Sequence, residues 1–106
     1  CKIPGEKDMK FYCRAYRRGS DVLVAICDEV LMGKKLKEGD VEVEIKEEFY
    51  GNELVDEHVC LELMKEATIA NLIGRKIVEI ALKHGFVEKE NVISIGGVPH
   101  AQFIKL

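Results

Sequence analysis

Apolar and polar positions alternate on both sides of a Gly19-Ser20 pair. Period-two patterning around a two-residue glycine turn predicts a β-hairpin, with strands from Phe11 to Arg18 and from Asp21 to Cys27. Pairing Arg18 with Asp21 sets the register and places Tyr16 against Leu23, Arg14 against Ala25 and Tyr12 against Cys27. Phe11, Cys13, Ala15, Val22, Val24 and Ile26 then share one face, which reads as the core face. The other face carries Tyr12, Arg14 and Tyr16 with Leu23, Ala25 and Cys27. Cys13 and Cys27 lie on opposite faces in this register and cannot bond to each other unless a bulge shifts it.

Downstream, Asp28 to Lys37 reads as a connection containing one helical turn, and Gly39-Asp40 as a turn. Val41 to Ile45 alternates strictly and predicts a strand with one wet face. Phe49-Tyr50-Gly51-Asn52 reads as an aromatic-anchored loop. Asp56 is a suitable N-cap for a helix to Ala67, with Val59, Leu63 and Ala67 inward and Cys60 and Met64 flanking them. Thr68 to His84 reads as a second helix or a continuation, with Ile69, Leu72, Ile73, Ile77, Ile80 and Ala81 inward. Lys83, His84 and Gly85 supply its stop. Val92 to Ile95 and Gln102 to Leu106 read as strands joined through Gly96 to His100.

The order β-β-β-α-α-β-β groups strands at both ends. It predicts an α+β two-layer sandwich, a mostly antiparallel sheet with two central helices packed on one face. Residues 1–8 contain Pro4 and Gly5 without periodicity and are expected to be a flexible arm or extension. Residues 9–106 form the expected single domain.

At 106 residues, with 47% hydrophobic and 33% charged positions, the chain has the composition of one globular domain. No apolar run approaches the roughly 20 residues of a membrane helix, and no signal peptide opens the chain, so a cytoplasmic location and no membrane partner are expected. Cys1, Cys13, Cys27 and Cys60 make no CxxC pair and fit no zinc spacing. His58, His84 and His100 form no metal-spaced set. Gly33-Lys34 lacks the earlier glycine of a phosphate loop, and Gly96-Gly97 opens no helix. Neither a metal nor a cofactor is therefore expected. Lys and Glu outnumber Arg and Asp, and Gln102 is the only glutamine, a thermophile-like bias.

The net charge of −3 hides an uneven distribution: residues 1–37 carry +4, residues 38–66 carry −9 and residues 67–106 carry +2. This is a dipolar surface and not the uniform basic field of a general nucleic-acid binder.

Four sets of residues could carry chemistry. In Gly97-Val98-Pro99-His100-Ala101-Gln102, His100 titrates near neutral pH and could act as acid, base or ligand donor, with Gln102 positioning a ligand. A tight hairpin with a locally bonded histidine is the plain alternative. Cys27-Asp28 closes a strand. A nucleophilic Cys27 would need a cation nearby, and the neighbouring carboxylate works against it, so Asp28 reads more simply as a cap or turn residue. Asn71, Gly74 and Arg75 fall on the second predicted helix, where Asn71 either bonds a loop backbone or lines a pocket below His100. Tyr12, Arg14, Tyr16 and Arg18, with Lys10, Lys34, Lys35 and Lys37 near in sequence, could stack bases and meet phosphates. An ordinary half-exposed strand would look the same.

Taken together, Cys27-Asp28 with Leu31 and Gly33-Lys34, Phe49-Tyr50-Gly51, Ala67 to Leu72 with Gly74, and Gly97 to Gln102 resemble the archaeal domain-of-unknown-function family 424 from about Met9 to Leu106. The resemblance implies a compact archaeal protein and a family-level association with translation or ribosome biogenesis, without an activity. Three functional readings follow. The first is a binding module for RNA or a ribonucleoprotein linked to translation, through Tyr12, Arg14, Tyr16 and Arg18, with RNA or a ribosome-associated protein as partner. The second is a small-molecule-binding protein or enzyme with a pocket under the Gly97–Gln102 loop, using Asn71, Gly97, His100 and Gln102, with His100, Asp28 and Cys27 as catalytic candidates. The third is a protein-interaction module that offers the acidic stretch from Glu38 to Glu66 to a basic partner. Oligomeric state is left open.

Overall fold

The hairpin forms in the register its turn dictates. Strands β1 (Phe11–Arg18) and β2 (Asp21–Asp28) pair antiparallel with Arg18 opposite Asp21, Arg14 opposite Ala25 and Tyr12 opposite Cys27. The structure, a computed structural model, describes residues 10–105. The expected arm of residues 1–8 lies outside the described residues.

Past the hairpin the elements are β3 (Lys35–Glu38), β4 (Val41–Glu44), the single turn α1 (Glu47–Tyr50), β5 (Glu53–Val55), α2 (Glu57–Glu66), β6 (Ile69–Ile73), α3 (Arg75–Lys83), β7 (Ile93–Ile95) and β8 (Val98–Ile104). Six strands make one sheet in the order β5-β1-β2-β6-β8-β7, and β3 and β4 form a separate ribbon. Every pairing in the large sheet is antiparallel except β2 with β6. The fold is α+β.

A core packs on each face of the sheet. Against the first pack Cys60 and Met64 of α2 and Ile77, Val78, Ile80 and Ala81 of α3, over Phe11, Val24, Ile26, Ala70 and Leu72. Against the second pack Leu36 and Ile45 of the ribbon segment and Tyr50 of α1, over Ala25, Cys27, Ile73 and Ile95. The helices α2 and α3 share one face as expected, and the other face is covered at one end by the ribbon segment and α1. The two predicted faces of the hairpin sort into these two cores: Cys13 packs with the first and Cys27 lies in the second.

Several elements differ from the pattern-based expectation. Ile69 to Ile73, expected in a helix, is the central strand β6. A strand buried on both faces reads as a nearly continuous apolar run and loses its period-two signature. Gly74, at φ 126, is the break that lets α3 begin at Arg75. Asn71 therefore sits on a strand and Gly74 in a turn. The expected connection through Lys37 ends inside β3, and the expected Phe49–Asn52 loop takes in the second half of α1 and leads into β5. Helix α2 is capped as expected, the Asp56 carboxylate accepting from the Val59 N–H at 3.1 Å. Its buried stripe is rotated, because Cys60 and Met64 are fully buried while Val59 is 37% exposed. Finally, the expected Gly97–Gln102 loop is only a Gly96-Gly97 turn, and β8 starts at Val98 to pair with both β6 and β7.

Candidate functional site

Residue pairings across the sheet bring separate sequence motifs together. Side chains opposite one another on paired strands point to the same face. The second face thus carries three rows: Tyr12, Cys27, Ile73 and His100; then Arg14, Ala25, Asn71 and Gln102; then Tyr16, Leu23, Ile69 and Ile104. The aromatic-basic set of the hairpin and the polar set of β6 and β8 are two parts of one surface.

At the covered end the polar groups interlock. His100 Nε2 lies 2.9 Å from Asn71 Oδ1, and the buried Tyr50 hydroxyl donates to the same oxygen at 3.5 Å. Since Tyr50 makes that oxygen an acceptor, the consistent arrangement has Nε2–H of His100 donating to it, which leaves the ring lone pair on Nδ1. Burial lowers the His100 pKa below its ordinary value, so the ring is neutral at pH 7. The adjacent Gln102 is exposed. Gly97 is not part of this group. With Val98 and Pro99 it lines a separate cavity of about 290 Å³ beside Asp28, Arg75 and Lys76.

Asp28 has a structural task. Its carboxylate accepts the N–H groups of Lys76 at 2.9 Å and Ile77 at 3.0 Å, capping the start of α3 from a different element. Gly74 makes this possible, because a Cβ there would collide with that carboxylate. Gly74 N–H also donates to the Pro99 carbonyl at 2.9 Å, tying β8 to the same corner. Burial raises the Asp28 pKa, while its two backbone donors pull it down. Cys27 is fully buried, and burial first, then the Asp28 charge, pushes its thiol up to about 12. A buried neutral thiol is a core residue and a poor nucleophile. Among the described residues, Cys13, Cys27 and Cys60 are free thiols, and no group of His, Cys, Asp or Glu could hold a metal ion.

The hairpin's polar tips are already engaged. Tyr16 O–H reaches the carbonyls of Glu48 at 2.9 Å and Phe49 at 2.7 Å, and Arg14 donates to the Glu48 carbonyl at 3.0 Å. These three bonds hold the last carbonyls of α1. The Arg14 guanidinium lies 5.1 Å from the Tyr16 ring centroid, and the Tyr16 ring stacks on Phe49 at 5.9 Å. Tyr12 packs against the second core. What remains open is the other end of the face, a groove of about 380 Å³ lined by Tyr16, Arg18, Asp21, Leu23, Phe49 and Ile69. Ile104 borders it in the same row at 67% exposure. Phe49 and Tyr50 were visible in the sequence as an aromatic pair before a glycine. Their partners were not, since Tyr16 and Asn71 are distant along the chain.

The class of the protein follows from comparison. A family model described as "Protein of unknown function (DUF424)" matches residues 16–106, so the chain belongs to that family. The fold resembles a solved structure of an uncharacterized conserved protein from Methanopyrus kandleri. The two share 21% identity and a TM-score of 0.77, covering 92% of this chain and 94% of the other. No curated protein matches. Among the described residues, no helix is long and apolar enough to cross a membrane.

Proposed function

We propose that this chain is a binding module that receives an unpaired nucleotide of RNA on the open half of the sheet's second face. The observation that carries this reading is the groove between the stacked Tyr16–Phe49 pair and Ile69, with Arg18 in its lining. An apolar floor beside an aromatic wall suits a base, and such contacts are worth about 1–3 kcal/mol per base. Arg18 offers a phosphate partner. The exposed amide of Gln102 and the half-buried Asn71 stand in the adjacent row, where they can bond a base edge. Tyr12 and Arg14 serve in support, one in the core and the other on α1.

Binding of the full chain to a single-stranded RNA pool at rising salt tests this reading. Retention should fall steeply with salt, and Arg18→Ala and Phe49→Ala should each weaken it by about fivefold or more. No retention at low salt, or retention indifferent to both substitutions, overturns it.

A second reading is favoured by the Asn71–His100 contact: a small-molecule-binding protein or enzyme in which the Nδ1 lone pair of His100 meets the ligand. It predicts ligand-induced shifts at His100 that Arg18→Ala leaves intact.

A further inference from the structure

We propose that the groove selects guanine, whose Watson–Crick edge is read by Asp21 and Arg18; the inference rests on the groove being a nucleotide site. Beside the Tyr16 and Phe49 rings and the apolar side chains of Leu23 and Ile69, the lining holds these two charged residues. They are cross-strand partners where the hairpin turns, so their side chains stand next to each other on the second face. Arg14 and Tyr16 on that face are engaged by α1. Among the described residues, neither Arg18 nor Asp21 joins an ion pair. Asp21 has one partner there, the Thr68 hydroxyl at 3.4 Å from Oδ1. That hydroxyl has a single proton and lies closer to the Val22 carbonyl, at 3.2 Å. The Asp21 carboxylate therefore keeps both oxygens open to a ligand.

Guanine presents along its Watson–Crick edge the O6 acceptor, then the N1–H donor, then the N2 amino donor. A guanidinium beside a carboxylate is the complement of that order: Arg18 donates to O6, and the Asp21 oxygens accept from N1–H and N2–H. The other bases break the pattern. Adenine and cytosine set one amino donor beside a ring-nitrogen lone pair, and uracil sets one N–H between two carbonyls. Each would turn a lone pair toward the carboxylate in place of the second donor, and a site built to bond two donors rejects a base that lacks one. Stacking on the aromatic wall is tolerant of base identity, so the selection falls to the charged pair. Arg18 has more N–H groups than O6 can accept, which leaves others for a phosphate.

The test titrates the full chain into labelled uridine heptamers that carry guanosine, adenosine, cytidine or inosine at the central position, read by fluorescence anisotropy at low salt. The guanosine heptamer should bind about tenfold tighter than the adenosine and cytidine ones. Inosine keeps O6 and N1–H but lacks the N2 amino group, and should bind about fivefold more weakly than guanosine. Asp21→Asn replaces one acceptor oxygen with a donor at an exposed turn-flanking position that suits asparagine, and should remove the guanosine preference. Phe49→Ala should weaken all the heptamers alike. Equal binding of every heptamer, still sensitive to Phe49→Ala and Arg18→Ala, would overturn guanine selection and leave the nucleotide site standing. A guanosine preference that survives Asp21→Asn would overturn it as well. No binding of any heptamer would overturn both.

Discussion

Asn71 and His100 meet across neighbouring strands, Oδ1 of one 2.9 Å from Nε2 of the other, although they are 29 positions apart in sequence. Tyr50 adds a third strut to the same oxygen. With two donors on Oδ1, the proton of the neutral imidazole belongs on Nε2. Ring-nitrogen chemical shifts of His100 should report that tautomer. Asn71→Ala should shift them toward a mixture and cost about 1–2 kcal/mol in urea unfolding, because two donors lose their acceptor.

The same burial sets a pH dependence. The native His100 pKa lies below the ordinary 6.5, so the unfolded chain takes up this proton first as pH falls. The stability tied to the neutral ring is full above about 6.5 and is lost as pH drops from there through the lower native midpoint. Unfolding measured at pH 7.5 and 5.5 should show a loss on acidification that is smaller in His100→Gln. An NMR midpoint for His100 at or above the ordinary histidine value would contradict this.

Asp28 and Gly74 should behave as one unit. Asp28→Ala leaves two N–H groups of α3 without their acceptor and should cost about 1–3 kcal/mol. Gly74→Ala strains a residue at φ 126 and drives its methyl into the carboxylate. In the double variant that collision is gone, so the losses should sum to less than the two singles by more than about 0.5 kcal/mol. Strict additivity in a denaturant series would refute the coupling.

These contacts show what the sequence could and could not reveal. The hairpin register was legible because a two-residue turn and a period of two leave one solution from Arg18–Asp21 to Tyr12–Cys27. The residues of the site were legible as types: Asn71, His100, Gln102, Asp28 and Gly74 all stood out. Their arrangement was hidden by one misread element. Ile69-Ala70-Asn71-Leu72-Ile73 is apolar on both faces and lacks alternation, so it resembles a helix leading into α3. Treating it as helix removes the parallel pairing with β2 and with it the rows that join the hairpin to β8. Asp28 reads locally as a cap but serves a helix that begins 47 residues later, which no local signal announces.

Cys27 offers a direct check on the buried face. It has no exposed surface, and its thiol is pushed up to about 12 by burial and by Asp28. Cys60 is likewise fully buried, with its thiol raised chiefly by burial. Iodoacetamide at neutral pH should leave both unmodified in the folded chain and alkylate them in denaturant, as read by mass spectrometry of peptides. Rapid native labelling of Cys27 would reopen it as a nucleophile.

Tyr16 separates support from contact. Its hydroxyl bonds the Glu48 and Phe49 carbonyls, so Tyr16→Phe removes a donor from the end of α1 while keeping the ring that walls the groove. This substitution should cost about 1 kcal/mol. It should also speed amide exchange through Glu47–Tyr50, because a single helical turn has little stability of its own. If the ring is what meets a base, RNA retention should survive Tyr16→Phe and fall with Tyr16→Ala. If both substitutions reduced retention equally, the hydroxyl's hold on α1 and not ring stacking would govern binding. That result would move the contact surface from the Tyr16 ring to α1 itself.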